Sequence, residues 1–517
     1  MYNRQPLTQE ADSARDEARH AGRGLVWVAA GKIVFIVTAY AVALALPRLF
    51  GSEQVFGLFS VAFGAASILN NVLIASTVQT VSKLVSEDEA RAPQTLRQGL
   101  QLQLFIGTLL GGGLALAAPL IAEQALLDAA LTPLIRVAGG VVFAYALYAA
   151  LVGSLNGQRR FSHQARLDMT FSVLRTAGLL GGAALGIGAL GAMSGFGLAA
   201  GSILLVGLFV VGVGESGGRI PLKRWLAFMA PIWLYQASLN GMLQIDLQML
   251  KRTATELALA QGMTSDPATD LADVLAGTYR AAQTFAFVPY QLILSVTFIV
   301  FPFVSRATSL GDDEAARRYI HGAMRFSLLV LLAIATPIGG AASGVLRIAY
   351  PEAYLAGADA LGVLVFGMVA FALFVIGATI LTGGGRPGLA AVLAVVSLGV
   401  VLVATRVAIT LAGIESHGAL VATATGTSIG TGLALLLVGA AVWRSFGAFI
   451  PPLSALRGLL AGAAGFAVAR FVPHDTALTA LGALAAGFVA YGVALFALRE
   501  LGGAEIAQLK AIVQRRR

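Results

Sequence analysis

The chain has 517 residues, of which 57% are hydrophobic and 12% charged, with a mean hydropathy of +0.82. A soluble domain carries about 25% charged residues, so no soluble fold of this length has an interior able to hide so much apolar surface. The net charge of +9 is spread over short loops with no aromatic platform between the basic residues, which argues against nucleic acid as a partner.

There is no cysteine, which excludes disulfides, thiol chemistry and Cys-zinc sites. His20, His163, His321, His417 and His474 are scattered without metal-ligand spacing, so neither a metal nor another cofactor is expected. Walker loops, GxSxG and paired carboxylates at useful spacing are also missing. The glycine runs Gly111-Gly112-Gly113 and Gly383-Gly384-Gly385 fit close helix approach in a membrane better than phosphate binding.

The apolar residues come in blocks of about 20, the length that crosses a ~30 Å hydrocarbon core as helix. Backbone polar groups in lipid must be satisfied within the segment, which selects helix. An all-α integral membrane protein with about fourteen transmembrane helices is therefore predicted. Residues 1–23 form a polar cytoplasmic N-terminus. No convincing cleavage site follows, so the first span is expected to remain as an anchor.

Spans are predicted at 24–46, 56–82, 99–121, 131–155, 167–188, 190–213, 225–249, 277–304, 322–345, 358–382, 388–412, 418–442, 456–472 and 476–498. The longest extramembrane segment is then 250–276, acidic toward its end at Asp266, Asp270 and Asp273. Residues 499–517 form a basic cytoplasmic tail.

With the N-terminus inside, every second loop is basic, as the positive-inside rule requires. Lys83, Arg91 and Arg97, then Arg159, Arg160 and Arg166, then Arg306, Arg317 and Arg318 fall inside, while Glu123, Asp128, Glu415 and Asp475 fall outside. Both termini are thus expected in the cytoplasm.

The chain also reads as duplicated. Gly57-Leu58-Phe59 resembles Gly277-Thr278-Tyr279. Ser82-Lys83 matches Ser305-Arg306, and Leu155-Asn156-Gly157 matches Leu381-Thr382-Gly383. Each offset is roughly 220 residues, or six helices, which preserves orientation and predicts a parallel repeat. The lobes are 24–214 and 225–442, with 456–498 adding two helices outside the repeat.

Charges inside spans carry the chemistry, because each costs ~2.5–3.5 kcal/mol at a helix centre. They are Lys32, Arg136, Arg175, Asp246, Arg280 and Arg406. The excess of cations suits an anionic substrate. Arg136, Arg280 and Arg406 are near enough to span ends to snorkel, and Asp246 has Arg280 or Lys251 as a pairing partner. Gln236, Asn240, Gln244 and Gln248 recur every four residues, a spacing that drifts only ~40° per step and draws one slanting face. Asp246 points away from it. Arg280, Thr284, Gln291 and Ser295 form a similar arc, and Asn70, Asn71 and Gln79 add polarity in span two. Such polar stripes line a chamber or bond helices together. Pro231, Pro289, Pro302 and Pro337 interrupt spans seven to nine and bend them.

The stretches Leu46-Pro47-Arg48-Leu49-Phe50-Gly51 and Phe56-Gly57-Leu58-Phe59-Ser60 look like the first loop of polysaccharide flippases. Further along, Leu155-Asn156-Gly157 with Arg160-Phe161, Pro231 through Ile245-Asp246, Gly277-Thr278-Tyr279-Arg280-Ala281-Ala282 and Phe301-Pro302-Phe303-Val304-Ser305 continue the likeness. Over roughly residues 20–440, the order and spacing resemble Wzx-type members of the multidrug, oligosaccharidyl-lipid and polysaccharide exporter superfamily. The segment 250–276 departs from it by its length.

The resemblance implies two pseudo-symmetric six-helix lobes plus two helices, in a bacterial inner-membrane protein that is not an enzyme. It implies an anionic undecaprenyl-pyrophosphate-linked glycan as substrate, moved by alternating access, with membrane lipids, a polysaccharide polymerase and chain-length proteins as partners. Arg48, Asp246 and Arg280 match its motifs by position. Coupling to H+ or Na+ is left open. A lipid II flippase and a cation-coupled drug antiporter of the same superfamily are the nearest alternatives, and Lys32 stands where the antiporter would want an acid. A membrane polymerase or ligase would need a large catalytic outer loop, for which 250–276 is the only candidate.

Overall fold

The computed structural model describes residue 31, residues 33–218 and residues 220–500. Lys32, the segment 1–23 and the tail beyond residue 500 lie outside the described residues, as does the side chain of Ser295. All regular structure among the described residues is helical.

Among the described residues, every predicted span is matched by helix. The first six are α1 (Ile33–Phe50), α2 (Glu53–Glu87), α3 (Ala92–Gly107 with its continuation), α4 (Leu131–Gly157), α5 (Phe161–Ala184) and α6 (Gly188–Val211). Then come α7 (Leu222–Ala260), α8a (Ser265–Ala286), α8b (Val288–Ser309) and α9 (Asp313–Gly340). The chain ends with α10 (Ala358–Gly383), α11 (Pro387–Ala412), α12 (Ser416–Phe446), α13 (Pro452–Phe471) and α14 (Ala477–Ala497).

Eleven of these helices are long and apolar enough to cross a membrane. The other three, α5, α7 and α8, are the ones that carry polar clusters. Gly212 (φ 83°) and Gly447 (φ 66°) end α6 and α12, in backbone conformations that glycine adopts without strain.

Two expectations change. The segment 250–276 is not a loop: α7 runs on to Ala260, and α8a begins at Ser265 after a turn at 261–264. Its acids sit on α8a, where Asp266 lies in the first turn and complements the helix dipole. Span eight is also two helices, divided at Phe287 just before Pro289. Proline cannot donate to the preceding turn, which accounts for the break. Along α3, wide turns at Thr108–Gly112 and Ile121–Ala125 interrupt the regular ladder.

The chain divides into two compact units, residues 1–51 with 62–237, and residues 52–61 with 238–517. The division falls inside α2 and α7, whereas the predicted lobe boundaries fall at span ends. In the first unit α4 is the most enclosed span, with 72% of its apolar window buried. In the second unit α10 takes that place, at 78%. These are repeat equivalents, and each is closed by the matching glycine. A Cβ on Gly157 would strike the Ser82 carbonyl of α2 at 2.7 Å, and one on Gly383 would press the Phe301 carbonyl of α8b at 3.0 Å.

Glycine also lets α5 meet α6 through Gly178 and Gly195, and α12 meet α11 through Gly426 and Gly430. Helices α13 and α14 pack on α9. Tyr491 donates to the Leu329 carbonyl at 2.8 Å, and Gly458 lies against Leu329 and Leu332.

Candidate functional site: a buried carboxylate on α7

Asp246 lies on α7 within the second unit and is 1% exposed. Helix α8a runs beside it and supplies two side chains one turn apart. Tyr279 Oη donates to Oδ2 at 2.8 Å, and Gln283 Nε2 donates to Oδ1 at 2.8 Å. The Leu247 backbone N–H adds a third bond to Oδ1 at 2.8 Å. From α12, Thr427 Oγ1 approaches Oδ2 at 3.4 Å, and it also meets Thr405 of α11 at 3.3 Å.

Arg280 stands next to this group without pairing with it. Its Nη1 donates to Gln283 Oε1 at 3.1 Å and to Gln244 Oε1 at 3.4 Å. Because the Gln283 oxygen is taken by Arg280, its amide nitrogen faces Asp246. The carboxylate is thus surrounded by neutral donors, and no cation lies within 4 Å of it among the described residues. A buried charge left uncompensated is costly. Neutral donors lessen that cost without removing the charge. No group of His, Asp and Glu able to hold a metal occurs among the described residues.

The expected ion pairs of Asp246 do not form. Arg280 bonds to glutamines instead, and Lys251 pairs with Asp273 at 2.7 Å. Lys251 is 0% exposed and also donates to the Thr269 carbonyl at 3.0 Å. Asp246 and Gln244, two residues apart on α7, both reach α8a, the first through Tyr279 and Gln283 and the second through Arg280. Gln248 reaches the Val61 carbonyl at 2.9 Å. Asn240 is half-buried in the second unit, and Gln236 falls in the first.

The remaining predicted cations are dispersed. Arg406 is not a free cavity charge, since it pairs with Glu256 and donates to Thr253 at 2.8 Å. Arg48 is exposed at the end of α1, where it bonds the Leu44 carbonyl at 2.7 Å. Arg136 is exposed in the early turns of α4. Arg175, in the first unit, stacks over the Phe35 ring at 4.6 Å from its centroid, a cation–π arrangement.

Sequence reasoning did not single out Tyr279, Gln283, Thr405 or Thr427. Tyr279 entered only as part of a repeat match and of a family-like motif, and its spacing to Gln283 at i+4 is the signal the sequence offers.

No protein-family model and no curated protein matches the sequence. Solved structures do. A lipid II flippase, MurJ, in an inward closed conformation is similar with a TM-score of 0.70 at 14% identity, over 91% of this chain and 99% of that one. The chain has the fold of MOP-superfamily transporters. A multidrug resistance MATE family transporter in an inward-facing conformation matches with a TM-score of 0.61 at 15% identity, over 80% of this chain and 98% of that one. A MOP superfamily transporter from Pyrococcus furiosus, whose binding pocket is described as having reversed polarity, gives 0.55 at 16% identity, over 86% of this chain and 96% of that one. With eleven apolar helices among the described residues, this fold makes the chain a multi-pass membrane protein.

Proposed function

We propose that the protein is a flippase that carries an anionic lipid-linked glycan, an undecaprenyl-pyrophosphate oligosaccharide, across the bacterial inner membrane by alternating access. Asp246 is its ion-coupling group, taking H+ or Na+. The observation that carries the reading is the uncompensated buried carboxylate beside Arg280, on a transporter fold. Arg280 is half-buried, and its glutamine partners leave its charge available to a pyrophosphate, which guanidinium groups bind in a fork. Lys32 and Arg175 are proposed as further substrate-binding cations on the sequence pattern alone. A polysaccharide polymerase and chain-length proteins would act on the product.

A lipid II cargo is the second reading, favoured by the 0.70 TM-score to a lipid II flippase over 91% of the chain. A polymerase or ligase is disfavoured because the segment its catalytic loop would need is a helical hairpin.

Complementation of a deletion strain tests the site. Arg280→Ala should reduce surface glycan about 10- to 100-fold, the equivalent of a lost charge-assisted bond of ~1.5–3 kcal/mol. Asp246→Asn and Lys32→Ala should also inactivate, all at normal expression. Full export by the Lys32→Ala/Arg280→Ala double variant would remove the cations from the mechanism.

A further inference from the structure

Gln283, on α8a, meets two ionisable groups at once and is 0% exposed. Its Nε2 donates to Asp246 Oδ1 at 2.8 Å, and its Oε1 accepts from Arg280 Nη1 at 3.1 Å. A guanidinium has only donors and a carboxylate only acceptors. One orientation of the amide therefore fits between them, with oxygen to Arg280 and nitrogen to Asp246. The other glutamine contact of Arg280, to Gln244 Oε1, is longer at 3.4 Å. All four residues lie in the second unit.

An ion on Asp246 inverts that requirement. A proton on Oδ1 makes this oxygen a donor, and Na+ beside it seeks oxygen ligands, as hard cations do. In both cases the group opposite Oδ1 must present an oxygen. Rotating the Gln283 amide by about 180° supplies one, because its last torsion is roughly two-fold and the chain need not move. The same rotation carries Nε2 to Arg280, donor against donor, and the guanidinium loses its shorter acceptor. The Leu247 backbone N–H cannot make this exchange, while Tyr279 and Thr427 answer to Oδ2. Other charges on the surrounding helices are engaged elsewhere. Lys251 pairs with Asp273, Arg252 of α7 and Arg406 of α11 pair with Glu256, and His417 of α12 lies 3.5 Å from Asp359 of α10. Tyr350 is a further titratable group near Arg280.

We propose that Gln283 is a positioning residue that couples these two groups: its amide turns over when Asp246 takes an ion and thereby frees Arg280 for an anionic phosphate group. This rests on the reading of Asp246 and Arg280 given under the proposed function. A glutamine that only joined α7 to α8a would need a partner on α7 alone. Gln283 also holds an arginine of its own helix, a contact that brings no helices together. With H+ one O–H bond forms on Oδ1 and no other covalent bond changes; with Na+ none does. Linkage makes the effect reciprocal, so an anion on Arg280 strengthens ion binding at Asp246 by the same factor.

The test titrates inorganic pyrophosphate into purified full-length protein in nanodiscs of uncharged phospholipid. Affinity is measured with and without Na+ at constant ionic strength, and at alkaline and mildly acidic pH. The gain on adding an ion is read against Asp246→Asn, which cannot ionise and shares the titration of pyrophosphate itself. Wild type should gain about 10-fold more than Asp246→Asn, the worth of one charge-assisted hydrogen bond. Gln283→Leu should gain no more than Asp246→Asn does, while binding pyrophosphate at least as tightly as ion-free wild type. A merely structural glutamine would leave that gain in place. Gln283→Met keeps the unbranched length and serves if the leucine variant fails to fold. A wild-type gain in either folded Gln283 variant, or no excess gain in wild type, overturns the switch and leaves Arg280 as an anion ligand. Pyrophosphate binding undiminished in Arg280→Ala would instead contradict the assignment of Arg280 itself, and the switch with it.

Discussion

At the residue scale, charges within spans were legible from sequence and their partners were not. Arg280 and Arg406 look alike along the chain, each a cation in an apolar helix. The structure gives one to glutamines and the other to Glu256, about 150 residues away. Helix register decides which, and register depends on interhelical packing that one sequence does not display. The Lys251–Asp273 pair was hidden for the same reason, its members having been placed in a supposed loop. Because both are buried, removing one leaves an uncompensated charge, which costs about 3–5 kcal/mol, while an apolar pair of similar volume can be neutral. Lys251→Ala should therefore lower the thermal midpoint in detergent markedly, and Lys251→Met with Asp273→Leu should recover most of the loss. Equal melting of wild type and Lys251→Ala would show that the pair contributes nothing to stability.

At the element scale, helix occurs at each of the fourteen predicted spans among the described residues, eleven of them apolar and long enough to cross a membrane, but the predicted ends were not located. The hairpin at 250–276 was misread because its polar residues outweighed its helical spacing, and only tertiary burial of Ala268, Ala272, Leu275 and Ala276 reveals it as helix. The last helix shows another device beyond sequence reading. Glu500, just after α14, is buried and bonds Arg325 of α9 at 2.7 Å and Arg457 of α13 at 3.3 Å. Burial pushes its carboxyl up, but bonds from Ser454, Arg325 and Arg457 outweigh this and hold it below the usual range. A lowered native pKa means that the carboxylate favours the folded state fully above the unfolded value of about 4.3. That contribution fades as pH falls through the native value. Glu500→Gln should accordingly lower the melting temperature at neutral pH, and the gap to wild type should narrow on acidification. A gap that stays constant down to strongly acidic pH would contradict this account.

At the scale of the whole molecule, the duplication was readable because short motifs recurred at one offset, and the structure shows why they recur. Gly157 and Gly383 are the positions where the most enclosed helix of each unit meets its neighbour's carbonyl. Gly57 and Gly277, another matched pair, lie close together within the second unit, where a Cβ on Gly57 would strike the Asp273 carbonyl and one on Gly277 the Glu53 carbonyl. The substrate is not legible in this way, since the fold serves flippases and drug transporters alike. What decides it is the lipid pool of a deletion strain, profiled by mass spectrometry of undecaprenyl-linked species. The flippase account predicts accumulation of one lipid-linked oligosaccharide with loss of the matching surface glycan. An unchanged pool together with new drug sensitivity would contradict it.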